Sequence, residues 1–339
     1  MKVLIAGGTG YIGSHTVVEL IEKGFEVVIV DNLSNSFPEV VDSIAIITGK
    51  RPDFIELDLA DPDAADSFFD NYKGIDAAIH FAAYKAVGES VEKPLMYYRN
   101  NLYSLINLMG NMQKHNIGNL VFSSSCTVYG QPEELPVSEQ SPIIPAWSPY
   151  ANTKQISEEI IRDFCSTSNF KAIALRYFNP IGAHPTSLIG EYPIGVPNNL
   201  MPFITQTAIG KREILSVFGD DYPTPDGTAI RDYIHVVDLA KAHVIAVERM
   251  VQSRTKSNFE VFNLGTGNGY SVLEVIRSFE KMSGQKLHYK IVGRRAGDIE
   301  KIWADPSFAN RELGWKAELG LDEMTLSAWK WEQALQKKK

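Results

Sequence analysis

Tyr150 and Lys154 stand four residues apart, downstream of three consecutive hydroxyls, Ser123, Ser124 and Ser125, that close an apolar run. On a helix the i,i+4 spacing puts phenol and ammonium on one face. Such a pair, with a serine hydroxyl beside it, can take a proton from an alcohol. A free phenol titrates near 10, so a base working at neutral pH needs that value lowered by about 3 units, or ~4 kcal/mol. One cation within reach supplies ~1–3 units. Lys154 alone is expected to fall short, and a second positive charge is needed.

The start of the chain offers a source for that charge. Gly7-Gly8-Thr9-Gly10-Tyr11-Ile12-Gly13 follows the apolar run 3–6 and opens a helical stretch at 14–23. A second apolar run, 27–30, ends in Asp31. Strand, glycine loop, helix, strand and acid make a dinucleotide-binding unit, with Gly7, Gly10, Tyr11, Ile12 and Gly13 at the pyrophosphate. A carboxylate at Asp31 accepts hydrogen bonds from ribose hydroxyls and repels a 2′-phosphate. Asn32, Asn35 and Ser36 follow, and no arginine occurs before Arg51, so NAD is expected rather than NADP. The positive nicotinamide ring of oxidised NAD would supply the missing charge beside Tyr150.

Composition excludes several other classes. The 339 residues suffice for a large core and two lobes, and 44% hydrophobic with 22% charged residues describes an ordinary globular chain. A net charge of −8 argues against nucleic acid or an anionic membrane as partner. Two cysteines, Cys126 and Cys165, make no disulfide framework, and the seven histidines show no metal-ligand spacing. No stretch is apolar enough to cross a bilayer, no signal peptide is visible, and a cytoplasmic enzyme without a metal is expected.

The elements that must position these residues alternate. Strands are expected at 54–57, 77–81, 120–125 and 171–177, and helices at 94–115, closed by Gly118, and at 150–167. This rhythm predicts an α/β, Rossmann-type doubly wound parallel sheet, with ligands beyond the carboxyl ends of its strands. We place the NAD-binding domain at 1–178, re-entered by about 233–270, and a smaller substrate lobe mainly in 179–339. Prolines and glycines from Pro180 to Pro202 mark long loops. A helix is expected over 233–250 and a strand over 260–264. Gly265-Thr-Gly-Asn-Gly269 precedes a capping box at Ser271 and Glu274. It reads as a glycine turn into a capped helix, with a second nucleotide loop as the alternative.

Ser125, Tyr150 and Lys154 behind a nucleotide fold resemble the catalytic set of the short-chain dehydrogenase/reductases. Longer words narrow this. Residues 7–16, Lys85-Ala-Val-Gly-Glu-Ser90, Ser123-Ser-Ser-Cys-Thr-Val-Tyr-Gly130, Arg176-Tyr-Phe-Asn-Pro180, Pro197-Asn-Asn-Leu-Met-Pro202 and Arg231-Asp-Tyr-Ile-His235 resemble the UDP-glucose 4-epimerase family across the whole chain. The resemblance implies reversible conversion of UDP-glucose and UDP-galactose, by hydride transfer to tightly held NAD and a 4-keto sugar that turns before hydride returns. It implies that Tyr150 is the base, Ser125 its hydrogen-bonding helper, and Lys154 also a ribose ligand. It extends the cofactor site to Asp58, Leu59, Phe81, Ala82, Lys85, Asn100 and Tyr177. It assigns the UDP-sugar pocket to Ser125, Thr127, Asn179, Asn199, Leu200, Phe218, Arg231, Tyr233, Arg295, Asp298 and Ile302. A homodimer is implied by resemblance alone.

Rivals on the same scaffold are testable. Nucleotide-sugar dehydratases typically carry acids just after the Ser125 position, where this chain has Cys126 and Thr127. Without a carboxylate there, elimination lacks its general acid. Another NAD-dependent oxidoreductase or dehydratase reaction is the alternative, and so is a 4-epimerase acting on UDP-N-acetylhexosamines. The latter turns on Ile302, where the family uses large residues to exclude and small ones to admit the N-acetyl group. Ala83 and Tyr84 depart from the family's Gly-Leu and bear on the cofactor pocket.

Overall fold

The computed structural model describes residues 1–295 and 299–337. In chain order the first half comprises β1 (Lys2–Ala6), α1 (Tyr11–Glu22), β2 (Glu26–Asp31), α2 (Glu39–Thr48), β3 (Asp53–Glu56), α3 (Pro62–Asn71), β4 (Ala77–His80), α4 (Val87–Glu92), α5 (Pro94–Lys114), β5 (Asn119–Ser125), α6 (Pro149–Ser166) and β6 (Lys171–Tyr177). There follow β7 (Asn179–Ile181), α7 (Leu200–Ala208), β8 (Leu215–Phe218), β9 (Ile230–His235), α8 (Val236–Val251), β10 (Phe259–Leu264), β11 (Gly269–Ser271), α9 (Val272–Ser283), β12 (Tyr289–Val292), β13 (Lys301–Ile302) and α10 (Leu321–Lys337).

Strands β1, β2 and β4 to β6 are buried along nearly their whole length, the pattern of a sheet covered on both faces, while the edge strand β3 exposes an acid at each end. They form, with β10, a seven-stranded parallel sheet in the order β10-β6-β5-β4-β1-β2-β3. One face packs under α1 and α8 through Val17, Leu20, Leu239 and Val247. The other packs under α3, α5 and α6 through Phe69, Leu105, Leu108 and Ile161. The strand order reverses between β1 and β4, which opens a crevice at their carboxyl ends. Among the described residues no helix is long and apolar enough to cross a membrane.

The smaller lobe has its own core, with Ile204, Val217, Val275, Phe279, Met324 and Trp329. Its hub is β9, which pairs with β7, β11 and β13, so that Asn179 stands opposite Tyr233 and both Tyr270 and Ile302 stand opposite Arg231. A helix over 233–250 is therefore corrected: residues 233–235 complete β9, because β7 pairs in parallel with all three. The helix α8 starts at Val236, where His235 Nδ1 accepts from the Val237 amide at 3.1 Å.

Two other boundaries shift. Helix α1 begins at Tyr11 rather than Ser14, since the last turn of the glycine loop is already helical, with the Ser14 amide 2.9 Å from the Gly10 carbonyl. Helix α5 ends at Lys114, and Asn116, at φ 58°, turns the chain there instead of Gly118. Asparagine tolerates the left-handed conformation better than other side chains. The capping box at Ser271 and Glu274 is complete, and Gly265–Gly269 leads through β11 into α9.

Candidate active site

Beyond the carboxyl ends of the strands lies a cavity of about 640 Å³ with a smaller one of about 110 Å³ beside it. The larger is lined by Gly7, Gly10, Tyr11, Ile12, Gly13, Lys85, Tyr150, Lys154 and Tyr177 on one side, and by Ser125, Thr127, Asn179 and Asn199 toward the small lobe. The smaller is lined by Asp31, Asn32, Asp58, Leu59, Ala82 and Asn100. Asn35, Ser36 and Phe81 line both. The fold thus gathers every cofactor-site residue named from the sequence onto two adjoining walls.

The glycine loop tests whether a dinucleotide fits. A Cβ at position 13 would lie 2.2 Å from the Gly7 carbonyl oxygen, and one at position 7 would lie 2.8 Å from the Ala82 amide nitrogen. Gly7 also has φ +83°, which only glycine adopts without strain. The loop is therefore packed as tightly as backbone allows, and it brings the N-terminus of α1 to the cavity, where helix N–H groups favour an anion. The Asp31 carboxylate closes the loop: it accepts from the Thr9 amide at 3.1 Å, the Leu33 amide at 2.9 Å and the Ser36 hydroxyl at 3.1 Å. These residues fit NAD.

The proton-handling residues converge from two elements. Ser148 caps α6 through the Ala151 amide at 3.2 Å, which starts the helix so that Tyr150 and Lys154 face β5. Ser125 ends β5, and its Oγ accepts from the Thr127 amide at 3.2 Å and the Thr127 hydroxyl at 3.0 Å. With both lone pairs engaged, the Ser125 proton is left to be donated, and it lowers the acidity barrier of the Tyr150 phenol. Burial outweighs that help and pushes the phenol up to about 12.

Lys154 is 3% exposed, donates to the Ser123 carbonyl at 2.6 Å and lies 4.8 Å above the Phe122 ring. Its ammonium is 6.0 Å from the centre of the Tyr150 ring. Burial lowers it to about 7, against the charge of Glu158, which raises it. Glu158 continues the Tyr150–Lys154 face of α6 by another four residues. It accepts the Ser124 hydroxyl at 2.5 Å and a two-pronged contact from Arg176 at 2.9 and 2.6 Å. Sequence reasoning missed Glu158, although its i+4 spacing from Lys154 was the available signal.

Tyr177, at the end of β6, shares a 2.5 Å hydrogen bond with His243 of α8, and burial raises its phenol well above the usual range. The remaining substrate-site residues are spread over the small lobe. Leu200 begins α7, Phe218 ends β8 and is 42% exposed, and Arg295 is exposed. Arg231 donates to the Ile230 carbonyl at 2.8 Å. Tyr233 and Ile302 are buried, the latter packed with Cys126, Phe178 and Ala304, and neither these two nor Leu200, Phe218, Arg231 or Arg295 lie on the cavity wall. Asp298 lies outside the described residues. The Cys126 thiol is pushed up to about 12 by burial, which leaves it inert beside Ser125. The sequence also gave no sign of the role of 188–196, which supplies much of the cavity's outer wall.

A family model described as GDP-mannose 4,6 dehydratase matches residues 4–327. The UDP-glucose 4-epimerase of Bacillus subtilis strain 168 is 52% identical over 335 residues, 98% of this chain and 97% of that one. The chain belongs to the UDP-glucose 4-epimerase family. Two solved structures of this family agree in fold. The UDP-glucose 4-epimerase from Bifidobacterium longum, in complex with NAD+ and UDP, is 47% identical with a TM-score of 0.94 over 98% of each chain. That from Stenotrophomonas maltophila, with bound NAD and formylated UDP-arabinopyranose, is 47% identical with a TM-score of 0.96 over 100% of each chain. The α/β, doubly wound parallel sheet with a smaller lobe is the fold of this epimerase family.

Proposed function

We propose that this chain interconverts UDP-glucose and UDP-galactose by inverting C4 of the hexose, with NAD retained between turnovers. The reading is carried by one observation: Ser125, Tyr150 and Lys154 meet on one cavity with the glycine loop, while the positions after Ser125 bear a thiol and a hydroxyl instead of carboxylates. The first half of that observation supplies redox at an alcohol carbon, and the second removes the acid a dehydratase needs.

Gly7 to Gly13 and Lys85 would hold the cofactor's diphosphate and its neighbouring ribose, Asp31, Asn32, Asn35 and Ser36 the adenosine ribose, and Asp58, Leu59 and Asn100 the adenine end. Bound NAD would accept the hydride that leaves C4 of the hexose and donate it back. Tyr150 takes the proton of the 4-hydroxyl and later returns it, while the Ser125 proton, freed by Thr127, bonds the same oxygen. Lys154 has donors left beyond the one given to Ser123, and its charge favours the phenolate. Asn179, Asn199, Leu200, Phe218, Arg231, Tyr233, Arg295 and Asp298 are assigned to the nucleotide and sugar. Arginines on the diphosphate anchor it by charge-assisted bonds, which leaves the hexose free to turn.

Residues 1–178 with the return at 233–270 are assigned to the cofactor, and the rest of 179–339 to the UDP-sugar. A homodimer is supported by Leu95, Tyr103 and Ile106, which form an exposed apolar stripe on α5 at 67%, 54% and 47% exposure. Sedimentation would show a monomer if that inference fails. Two unpaired, buried cysteines suit a cytoplasmic setting.

Proton NMR of UDP-galactose with the purified protein and no added cofactor tests the reaction. The expected outcome is a steady mixture with UDP-glucose. UDP-galactose left unchanged, even after NAD is added, would overturn the assignment. A parallel run with UDP-N-acetylglucosamine reads whether N-acetylated sugars are accepted.

A further inference from the structure

Glu191 is an acid on the wall of a cavity built for two diphosphates, where a negative charge is a liability unless it has work to do. Its side chain is 12% exposed. Its Oε1 accepts from the Lys85 ammonium at 3.3 Å and from the Asn199 amide at 2.5 Å. Its own carbonyl oxygen accepts from the Trp331 indole N–H of α10 at 2.9 Å, so the residue is fixed at backbone and side chain alike. It also faces Tyr11 at the start of α1, whose phenol its charge helps to raise after burial. The loop after β4 and the start of α7 therefore meet at one carboxylate, with the glycine-loop helix near enough for Tyr11 to feel its charge. The next residue, Tyr192, packs on Phe37 in the loop after β2, with ring centres 4.9 Å apart.

Residues 188–199 thus run as a strap along the outer wall of the cavity, from the small lobe back to the large one. We propose that Glu191 is the positioning residue that fastens this strap, turning Lys85 toward the cofactor and Asn199 toward the sugar nucleotide, and so retains NAD. The inference rests on the proposed roles of Lys85 and Asn199, but its test of cofactor retention needs no turnover.

Fastening and simple electrostatics predict opposite signs. If Glu191 only adds negative charge near an anion, removing it tightens NAD. If it fastens, Glu191→Ala loosens NAD although a repulsive charge has gone. We expect Glu191→Ala to release NAD roughly five- to tenfold faster, the order set by a partly buried ion pair and one hydrogen bond. The readout is cofactor absorbance remaining with the protein after timed gel filtration. KM for UDP-galactose should rise similarly, with kcat at saturating NAD within about twofold, since no reacting atom is touched. Calorimetric UDP binding replaces KM if no epimerisation is found. Glu191→Gln keeps an acceptor oxygen for both donors and should restore most of the retention. In a Lys85→Met background the effect of Glu191→Ala on NAD release should shrink, while its effect on UDP binding through Asn199 persists. The melting temperature of the NAD-free protein should fall only slightly in Glu191→Ala, as the loss of these contacts requires, whereas a purely structural role would lower it without changing NAD release or KM. NAD held as tightly as in the parent or tighter, or a fall in kcat with retention and KM unchanged, would overturn the proposal.

Discussion

Tyr150 poses the sharpest problem at the scale of single residues. At about 12 its phenol stands roughly five pH units above neutrality, ~7 kcal/mol. One cation offers ~1–3 units, and Lys154, lowered to about 7, carries only part of its charge at neutral pH. The positive charge of oxidised NAD is the remaining source. Ultraviolet titration should therefore find Tyr150 more acidic with oxidised than with reduced NAD, and Tyr150→Phe should remove the titrating signal. Equal values in the two forms would sink this account. The same Tyr150→Phe protein should lose about 10²- to 10⁴-fold in kcat while keeping its NAD, which is the contribution of a positioned base.

At the scale of elements, the site depends on how α6 is locked against β5 and β6. The lock is Glu158, which takes a hydroxyl from β5 and the guanidinium of Arg176 from β6; both partners are buried, at 1% and 3% exposure. Arg176 in turn donates to the Tyr129 hydroxyl at 2.8 Å, which donates to Asn263 of β10 at 2.6 Å. One chain of polar contacts thus spans the carboxyl ends of three strands and the catalytic helix. Glu158→Gln leaves the Arg176 charge without its counter-ion, which typically costs ~3–5 kcal/mol. Urea denaturation should show that loss. Removing the Glu158 charge should also shift Lys154 still lower, because that charge is what raises it. A stability change well under 1 kcal/mol would mean that water or another group compensates Arg176.

For the whole molecule, the buried histidines set an acid limit. Burial lowers His15 and His80 to about 3 and His235 and His243 to about 4. The unfolded chain takes up protons at these groups near pH 6.5, and the folded chain does not until about 4 or below. More protons are bound in the unfolded state throughout that window, so stability falls as pH falls through it. Each histidine contributes up to ~1.4 kcal/mol per pH unit. Glu139 and Asp232, raised by burial, oppose this only toward the acid end. Urea midpoints should drop steadily from pH 7 to pH 5, and a flat profile would contradict the burial of these rings.

Much of this was legible in the residues themselves because it is local. The glycine loop with Asp31, the i,i+4 pair Tyr150 and Lys154, and the alternating apolar runs are short patterns whose physics acts within a few residues, and they determine the doubly wound sheet and the cofactor end of the site. Helix ends were less legible: Asn116 and His235 did what glycine or a longer helix was expected to do, because turn and strand conformations there are chosen by neighbours. Only the tertiary structure decided the titration of Tyr150 and Lys154, since desolvation depends on what the fold packs over them. It alone decided that Glu191, unremarkable among prolines and glycines in sequence, meets Lys85 and Asn199. Those contacts join residues 106 and 8 positions apart. The Lys85 contact follows from how two lobes close on each other, which no local pattern encodes, whereas Asn199 lies only a loop's length from Glu191.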